Sequence, residues 1–103
     1  MSESPQIVAA AYFDDKVQSL AATRHGRKFS VGIISPGTYR FGTACAERMT
    51  VTSGSLKVQV EDPGLLADAP VVVYPAGTYF EVAANAGFKV TCDEHAAYLC
   101  EYL

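Results

Sequence analysis

A single carboxylate interrupts an otherwise regular pattern in the middle of the chain. Read as a strand, one face would carry Glu47, Met49 and Val51, while polar residues occupy the alternate positions. A carboxylate is rarely buried without a partner, because removing its charge from water is costly. Glu47 therefore either accepts hydrogen bonds from a ligand and balances a developing positive charge, or it lies at the mouth of a barrel, paired with water or an arginine.

Arg27 is the cationic residue that we expect to bind an anion. A guanidinium can hold two oxygens of one phosphate, and the preceding Gly26 would let the backbone approach an anion closely. The alternative is a solvated arginine in the turn formed by residues 24–28, and the local sequence by itself favours that alternative.

Strict alternation of apolar and polar residues extends over most of the chain and predicts an all-β fold. Glycine- and proline-containing turns separate nine predicted strands, at residues 16–23, 28–34, 38–43, 47–52, 55–61, 71–74, 78–82, 88–92 and 97–103. The segment before residue 16 is either a helical turn or an edge strand, and Ser53-Gly54 suits a tight hairpin. Short strands at this spacing predict a sandwich or barrel, and 103 residues predict one domain spanning 1–103.

Composition excludes several kinds of partner. The net charge is −3 and no long cluster of lysine and arginine occurs, so we expect no nucleic-acid binding. No apolar run approaches the roughly 20 residues of a membrane-spanning helix, and the first residues do not resemble a signal peptide. The three cysteines are too few and too widely spaced for a disulfide framework or a zinc site. We therefore expect a cytoplasmic protein without a membrane partner.

Two segments resemble the motifs of the cupin family. Glu47 followed by six residues and Gly54 is similar to the end of the first motif, and a proline- and glycine-containing turn before Phe80 is similar to the second. The metal-binding histidines of that family are missing: their positions fall near Phe41 and Thr43 and at Phe80. One carboxylate does not suffice for a transition metal. We therefore expect a metal-free, single-domain cupin-type (RmlC-like) β-barrel or jelly roll.

A more specific resemblance covers nearly all of the chain from Tyr12 onward. The chain resembles the small, one-domain pyrimidine/purine nucleoside phosphorylase family of bacteria. The segments that carry the resemblance are Tyr12-Phe13 with Lys16-Val17, Gly26-Arg27 with Ser30-Val31-Gly32, Gly37-x-Tyr39-x-Phe41, Glu47-x-Met49-Thr50-Val51-x-Ser53-Gly54-x-Leu56, Gly77-x-x-Phe80 and the ending Tyr98-Leu99-Cys100-x-Tyr102-Leu103. The chain departs from the family pattern around Cys45 and Arg48 and in the loop 63–70.

This resemblance implies a glycosyltransferase of the pentosyltransferase type. Phosphate would cleave the N-glycosidic bond of purine and pyrimidine nucleosides, which gives a free base and a pentose 1-phosphate. Glu47 would bind the ribose hydroxyls or stabilise an oxocarbenium-like state, and Arg27 would bind phosphate. The resemblance also implies a homodimer. No cofactor is expected, since inorganic phosphate is a co-substrate.

Five further side chains are candidates for substrate binding: Tyr39, Phe41, Thr43, Phe80 and Tyr98. Aromatic rings stack on any base, because every base has a π-face, and this would suit broad specificity. The alternative for Phe41 and Phe80, which the pattern favours, is a place in the core. Thr43 could donate its hydroxyl, and Tyr98 could hydrogen-bond the base or phosphate, or simply reach water from a core strand.

Two other functions stay open on the sequence alone. One is a metal-free cupin that binds a small metabolite or sugar without catalysis, which saturable binding without product would identify. The other is a filled barrel whose surface binds another protein. The aromatic residues of the inner face could fill a small barrel completely, and the absence of a cavity would then favour this second alternative.

Overall fold

The computed structural model describes residues 6–64 and 69–103, and its backbone there forms ten strands and no helix. No helix is therefore long and apolar enough to span a membrane in these two ranges. The strands are β1 (Val8–Tyr12), β2 (Val17–Arg24), β3 (Arg27–Ile34), β4 (Gly37–Gly42), β5 (Glu47–Ser53), β6 (Ser55–Glu61), β7 (Val72–Pro75), β8 (Tyr79–Val82), β9 (Gly87–Cys92) and β10 (Ala96–Tyr102).

The all-β prediction is confirmed, and nine of the strands match predicted strands to within one residue at each end. The remaining strand, β1, is an edge strand paired with β2. Of the two alternatives for the segment before residue 16, a helical turn or an edge strand, the structure therefore shows the edge strand. Residues 65–68, in the loop where the sequence departs from the family pattern, lie outside the described residues. Residues 1–5, the start of the N-terminal segment on which the prediction of no signal peptide rests, also lie outside them.

The strands form two antiparallel sheets. The first has six strands in the order β1-β2-β3-β10-β5-β8, and the second has four in the order β4-β9-β6-β7. Both sheets contribute to one buried cluster, for example Val51 from β5, Val58 from β6 and Phe88 from β9. The core therefore lies between the two sheets, where apolar side chains from both are removed from water.

The alternation of the sequence sets which side chains enter this core. In β6, Leu56 and Val58 are buried while Lys57 between them is exposed. The same parity buries Met49 and Val51 in β5. Each strand therefore presents one apolar face to the opposite sheet, as the period-two pattern predicts.

The predicted hairpin at Ser53-Gly54 is wrong. β5 pairs with β10 and β8, whereas β6 pairs with β9 and β7, so the turn carries the chain from one sheet to the other. Gly54 has a φ of +77°, and a Cβ atom there would lie 2.9 Å from the carbonyl oxygen of His95. Glycine accommodates both the backbone conformation and the close approach at this corner between the sheets.

Gly32 makes room for an aromatic ring on the inner face of the six-stranded sheet. A Cβ atom at Gly32 would come within 2.5 Å of Cζ and Oη of Tyr98, whose ring is buried. We expect Gly32→Ala to lower the free energy of unfolding by about 1–3 kcal/mol, because a rigid, buried ring has little space to move. Urea-induced unfolding measures this loss.

Gly42→Ala is the matched control for that substitution. Gly42 is also a strand residue, the last of β4, but the nearest atom to its Cβ position is 3.9 Å away, which is an ordinary contact distance. Its stability should change by less than about 0.5 kcal/mol. Equal stabilities for the two variants would show that the Tyr98 ring is not held against Gly32.

Candidate active site

Glu47 begins β5 and lies on the inner face of the six-stranded sheet. Its neighbours in register are Tyr102 of β10 and Val82 of β8. The thiol of Cys100 donates a hydrogen bond to the carboxylate, with 3.4 Å between Sγ and Oε1. The adjacent Arg48 forms its ion pair with Glu81, with 2.7 Å between Nη2 and Oε2. Glu47 is thus half-buried and bound by a thiol, rather than paired with that arginine.

The surroundings of Glu47 make its carboxyl group less acidic than an ordinary glutamate. Burial raises the pKa of Glu47, while the hydrogen bond from Cys100 and the positive charge of Lys28 act in the opposite direction. Burial is the largest of the three influences, because an ionised carboxylate loses solvation in this position. A half-buried carboxylate near one cation is suited to interact with hydroxyl groups or with a developing positive charge.

Lys28 is the cation on the same side of the sheet as Glu47. It alternates in β3 with the buried Ser30, so strand parity directs Lys28 to the side of the inner face, although its own side chain is exposed. The ammonium nitrogen of Lys28 lies 4.9 Å from the centre of the Tyr102 ring, and Tyr102 is the register neighbour of Glu47. Lys28 was not among the predicted site residues, although counting back two residues from Ser30 places it on this face.

Arg27 does not share the face of β3 that is directed toward Glu47. It precedes Lys28 in β3, so strand alternation directs it to the opposite, outer face. Its register partner is Arg24, across the turn that joins β2 and β3. Arg27 is exposed there, as a turn arginine would be. This position matches the alternative of a solvated turn arginine, and the role of Arg27 as the phosphate ligand stays a prediction.

Cys100, Tyr102 and Ser30 supply the thiol and hydroxyl groups beside Glu47. Burial raises the pKa of Cys100 to about 12, the Glu47 carboxylate adds to the rise, and the hydroxyls of Tyr102 and Ser30 oppose it. Burial likewise raises the pKa of Tyr102. Both groups are consequently neutral near pH 7, and they act there as hydrogen-bond donors rather than as anions.

Tyr98 lies two residues before Cys100 in β10 and faces the same side. Its side chain is buried beside Gly32, and burial raises the pKa of Tyr98 to about 12, with a hydrogen bond to Ser19 acting against the rise. Tyr98 thus shares one face of β10 with Cys100 and Tyr102, and Tyr102 is the register neighbour of Glu47. The phenol of this predicted binding residue is neutral near pH 7.

Tyr39 and Thr43 use their hydroxyl groups to hold the backbone. The Tyr39 hydroxyl donates to the carbonyl oxygens of Ser35 and Pro36, at 2.9 and 3.1 Å. Thr43 Oγ1 donates to the carbonyl of Ala83 at 2.6 Å and accepts from the amide of residue 86 at 3.0 Å. These contacts give both residues a structural explanation that requires no substrate.

Phe41 and Phe80 belong to an aromatic cluster between the sheets. Phe80 is buried, with its ring centre 4.9 Å from that of Tyr74 and 5.5 Å from that of Phe88. Phe41 stacks on Phe88 at 5.4 Å and meets Phe13 edge-on, but it is only partly buried. Phe80 is a core residue in this arrangement, whereas Phe41 keeps part of its ring accessible.

The side chains around the site do not form a set of metal ligands. Within residues 6–64 and 69–103, no group of three or more His, Cys, Asp and Glu side chains could hold a metal ion. The positions near which the cupin histidines would fall are occupied by Phe41, Thr43 and Phe80, none of which is a transition-metal ligand.

Two facing antiparallel sheets with this strand order define a cupin. The fold is similar to the crystal structure of an RmlC-like cupin from Shewanella frigidimarina, with a TM-score of 0.70 at 14% identity over 99% of this chain and 86% of that one. A protein of unknown function from Vibrio parahaemolyticus is more similar, with a TM-score of 0.86 at 40% identity over 95% and 99% of the two chains. The cupin prediction is therefore confirmed.

Comparisons of the sequence identify the family to which the chain belongs. Residues 7–102 match the family described as Pyrimidine/purine nucleoside phosphorylase. A relative of that name from Sorangium cellulosum is 44% identical over 93 residues, which are 90% of this chain and 95% of the relative. The chain belongs to the pyrimidine/purine nucleoside phosphorylase family, as the resemblance of its sequence segments indicated.

Proposed function

We propose that the protein catalyses the phosphorolysis of purine and pyrimidine nucleosides, and is thus a glycosyltransferase of the pentosyltransferase type. The observation that carries this proposal is the half-buried Glu47, with Cys100 and Lys28 around it, in a member of this family. Together these residues offer a negative charge, a cation and neutral donors on one inner face, which are the groups that this reaction requires.

In the proposed reaction, a phosphate oxygen attacks C1′ of the nucleoside while the bond from C1′ to the base nitrogen breaks. The base leaves with the bonding electron pair and takes up a proton, and the sugar becomes a pentose 1-phosphate. Positive charge develops on the sugar as the bond breaks. The Glu47 carboxylate stabilises that charge, or holds the ribose hydroxyls so that C1′ is correctly placed. Because phosphate is the nucleophile, one carboxylate is sufficient, unlike the pairs of most glycosidases.

In this proposal, Lys28 binds the phosphate. Its ammonium group shares the inner face with Glu47, whereas Arg27 faces the opposite side. An ammonium group donates up to three hydrogen bonds and attracts the phosphate dianion. The neighbouring hydroxyls of Ser30 and Tyr102 add neutral donors to the same position.

The partly exposed ring of Phe41 is the best placed of the predicted aromatic residues to stack on a base. Tyr98 carries a neutral hydroxyl that would donate a hydrogen bond to the base or the phosphate. Stacking does not depend on the identity of the base, and this supports a broad substrate range. The binding roles of Tyr39, Thr43 and Phe80 stay predictions, since each has a structural contact that explains its position.

The proposed mechanism requires no metal and no organic cofactor. The test is incubation of the EDTA-treated protein with uridine, adenosine or inosine, with and without phosphate, while free base is followed. Base that appears only with phosphate, and equally with and without EDTA, supports the proposal. Base without phosphate would indicate a hydrolase, loss of activity with EDTA would indicate a metal enzyme, and binding without product would indicate a non-catalytic cupin.

We further propose a homodimer in the cytoplasm, as the family resemblance implies. The outer face of the six-stranded sheet supports the dimer, because Leu20, Val31 and Ile33 are there 50%, 43% and 55% exposed. These residues also line a groove of about 810 Å³, whose lining further includes Ser19, Gly32 and Tyr98 but not Glu47. An apolar patch of this kind is typical of a protein interface. The three cysteines are free thiols, which is compatible with a reducing compartment.

Light scattering after size exclusion tests the dimer. We expect the wild type to have twice the mass of one chain and Ile33→Glu to be monomeric, because the new carboxylate would be desolvated at the interface. Val73→Glu is the control: Val73 is 56% exposed, but it lies in β7 of the other sheet. A monomeric wild type, or an Ile33→Glu variant that stays dimeric, would contradict this choice of interface.

A further inference from the structure

The contact between Cys100 and Glu47 joins two residues that the fold holds to different degrees. Cys100 is 3% exposed and lies in β10 between β3 and β5, opposite Ser30 on one side and Met49 on the other. Backbone pairing on both sides fixes the position of its Cα atom. Glu47 is also paired on both sides, with Tyr102 and Val82, but its longer side chain is only partly buried. The thiol is therefore the more firmly placed of the two partners.

The protonation state of the Cys100 thiol determines which of the two groups donates the hydrogen bond. Burial raises the pKa of Cys100 to about 12, so the sulfur keeps its proton near neutral pH. A protonated thiol has one hydrogen to donate, and the sulfur lies 3.4 Å from Oε1 of Glu47. A neutral thiol of this kind is a poor nucleophile, which argues against a covalent role for Cys100.

We propose that Cys100 is a positioning residue: its S–H group holds Oε1 of Glu47, so that Oε2 is turned toward the substrate. This inference rests on the proposed function, in which Glu47 acts on the sugar. A carboxylate held by one oxygen has lost most of its rotational freedom before the substrate arrives, and pre-organisation of this kind raises the rate of the chemical step.

The contact also affects how readily Glu47 ionises. The titratable groups that face Glu47 are Lys28 from β3 and Cys100 and Tyr102 from β10, while β8 places Val82 beside it. The hydrogen bond from Cys100 stabilises the ionised carboxylate and so lowers its pKa against the effect of burial. Removing the thiol should therefore raise the pKa of Glu47 and move the acidic limb of the activity profile to higher pH.

The test compares Cys100→Ala and Cys100→Ser with Cys92→Ala. Cys92 is also a buried cysteine, 4% exposed, but its thiol points to the carbonyl oxygens of Ile34 and Ser35. We expect Cys100→Ala to lower kcat by about tenfold, because a hydrogen bond to a charged group is lost. Cys100→Ser, which keeps a donor, should retain most of the activity. Cys92→Ala removes a similar volume and should leave kcat and the pH profile nearly unchanged.

A second measurement makes the inference independent of catalysis. NMR titration of the Glu47 carboxyl carbon should show a higher pKa in Cys100→Ala than in the wild type, Cys100→Ser or Cys92→Ala. An unchanged Glu47 titration in Cys100→Ala would overturn the inference, and so would an equal loss of kcat in the Cys100→Ala and Cys92→Ala variants. If the wild type releases no base from any nucleoside, the proposed function fails, whereas the titration still decides whether Cys100 holds Glu47.

Discussion

Glu47→Gln should lower the rate of phosphorolysis by about 10²- to 10³-fold. The substitution keeps the size and the hydrogen-bond acceptor of the side chain but removes the negative charge, and a pre-organised electrostatic group is typically worth that factor. Initial rates with saturating uridine and phosphate measure the effect. Full activity in Glu47→Gln would remove the carboxylate from the mechanism.

The same variant should not be less stable than the wild type at neutral pH. The pKa of Glu47 is raised in the folded protein, so folding favours the protonated form. The contribution of this group to stability is therefore fully present below its unfolded pKa and is lost as the pH rises through the folded value. Glutamine stays neutral at every pH and avoids that loss. Thermal unfolding at pH 7 should give Glu47→Gln a Tm equal to or above that of the wild type.

Lys28→Met should reduce kcat/KM for phosphate by about 10- to 100-fold, because a charge-assisted contact to the anion is lost. Methionine retains much of the apolar stem of lysine, so packing against Tyr102 is largely kept. Lys28 also lowers the pKa of Glu47, so the acidic limb of the pH profile should move to higher pH in this variant.

Arg27→Met is the matched control, since it removes a neighbouring positive charge from the opposite face of the same strand. Its kinetics with phosphate should stay within about twofold of the wild type, as expected for an exposed residue outside the site. A large loss in Arg27→Met with little change in Lys28→Met would restore Arg27 as the phosphate ligand and refute the assignment of Lys28.

Much of the fold could be predicted, because the residue pattern of each β-strand indicates its buried face. Alternation along β5 predicted that Met49 and Val51 share one face, and both are buried. The same alternation assigned Glu47 to the inner face of β5. Local turn chemistry was less informative at Gly54, since the same residues that suit a hairpin also suit a corner between two sheets.

The partners of Glu47 could not be predicted in the same way. Cys100 is 53 residues away in the sequence, and it reaches the carboxylate because β10 pairs with β5 in one particular register. No local pattern encodes the register between distant strands. The motif around Gly26 drew attention to Arg27, whereas strand alternation directs the next residue, Lys28, to the face of Glu47.

The backbone partners of two candidate hydroxyl groups could not be predicted either. Thr43 was a candidate donor to substrate, but its Oγ1 bridges the backbone at residues 83 and 86. The hydroxyl of Tyr39 is likewise occupied by the turn at residues 35 and 36. Buried polar groups are normally satisfied by nearby backbone, and this partner is invisible in a residue pattern.

In the proposed mechanism, phosphate is the nucleophile and Glu47 assists its attack. Phosphorus NMR of a mixture of uridine, phosphate and purified protein tests both parts at once. We expect a pentose 1-phosphate signal that grows in step with free uracil, and that Glu47→Gln nearly abolishes. Uracil that forms without any sugar phosphate, or an undiminished signal in Glu47→Gln, would contradict it.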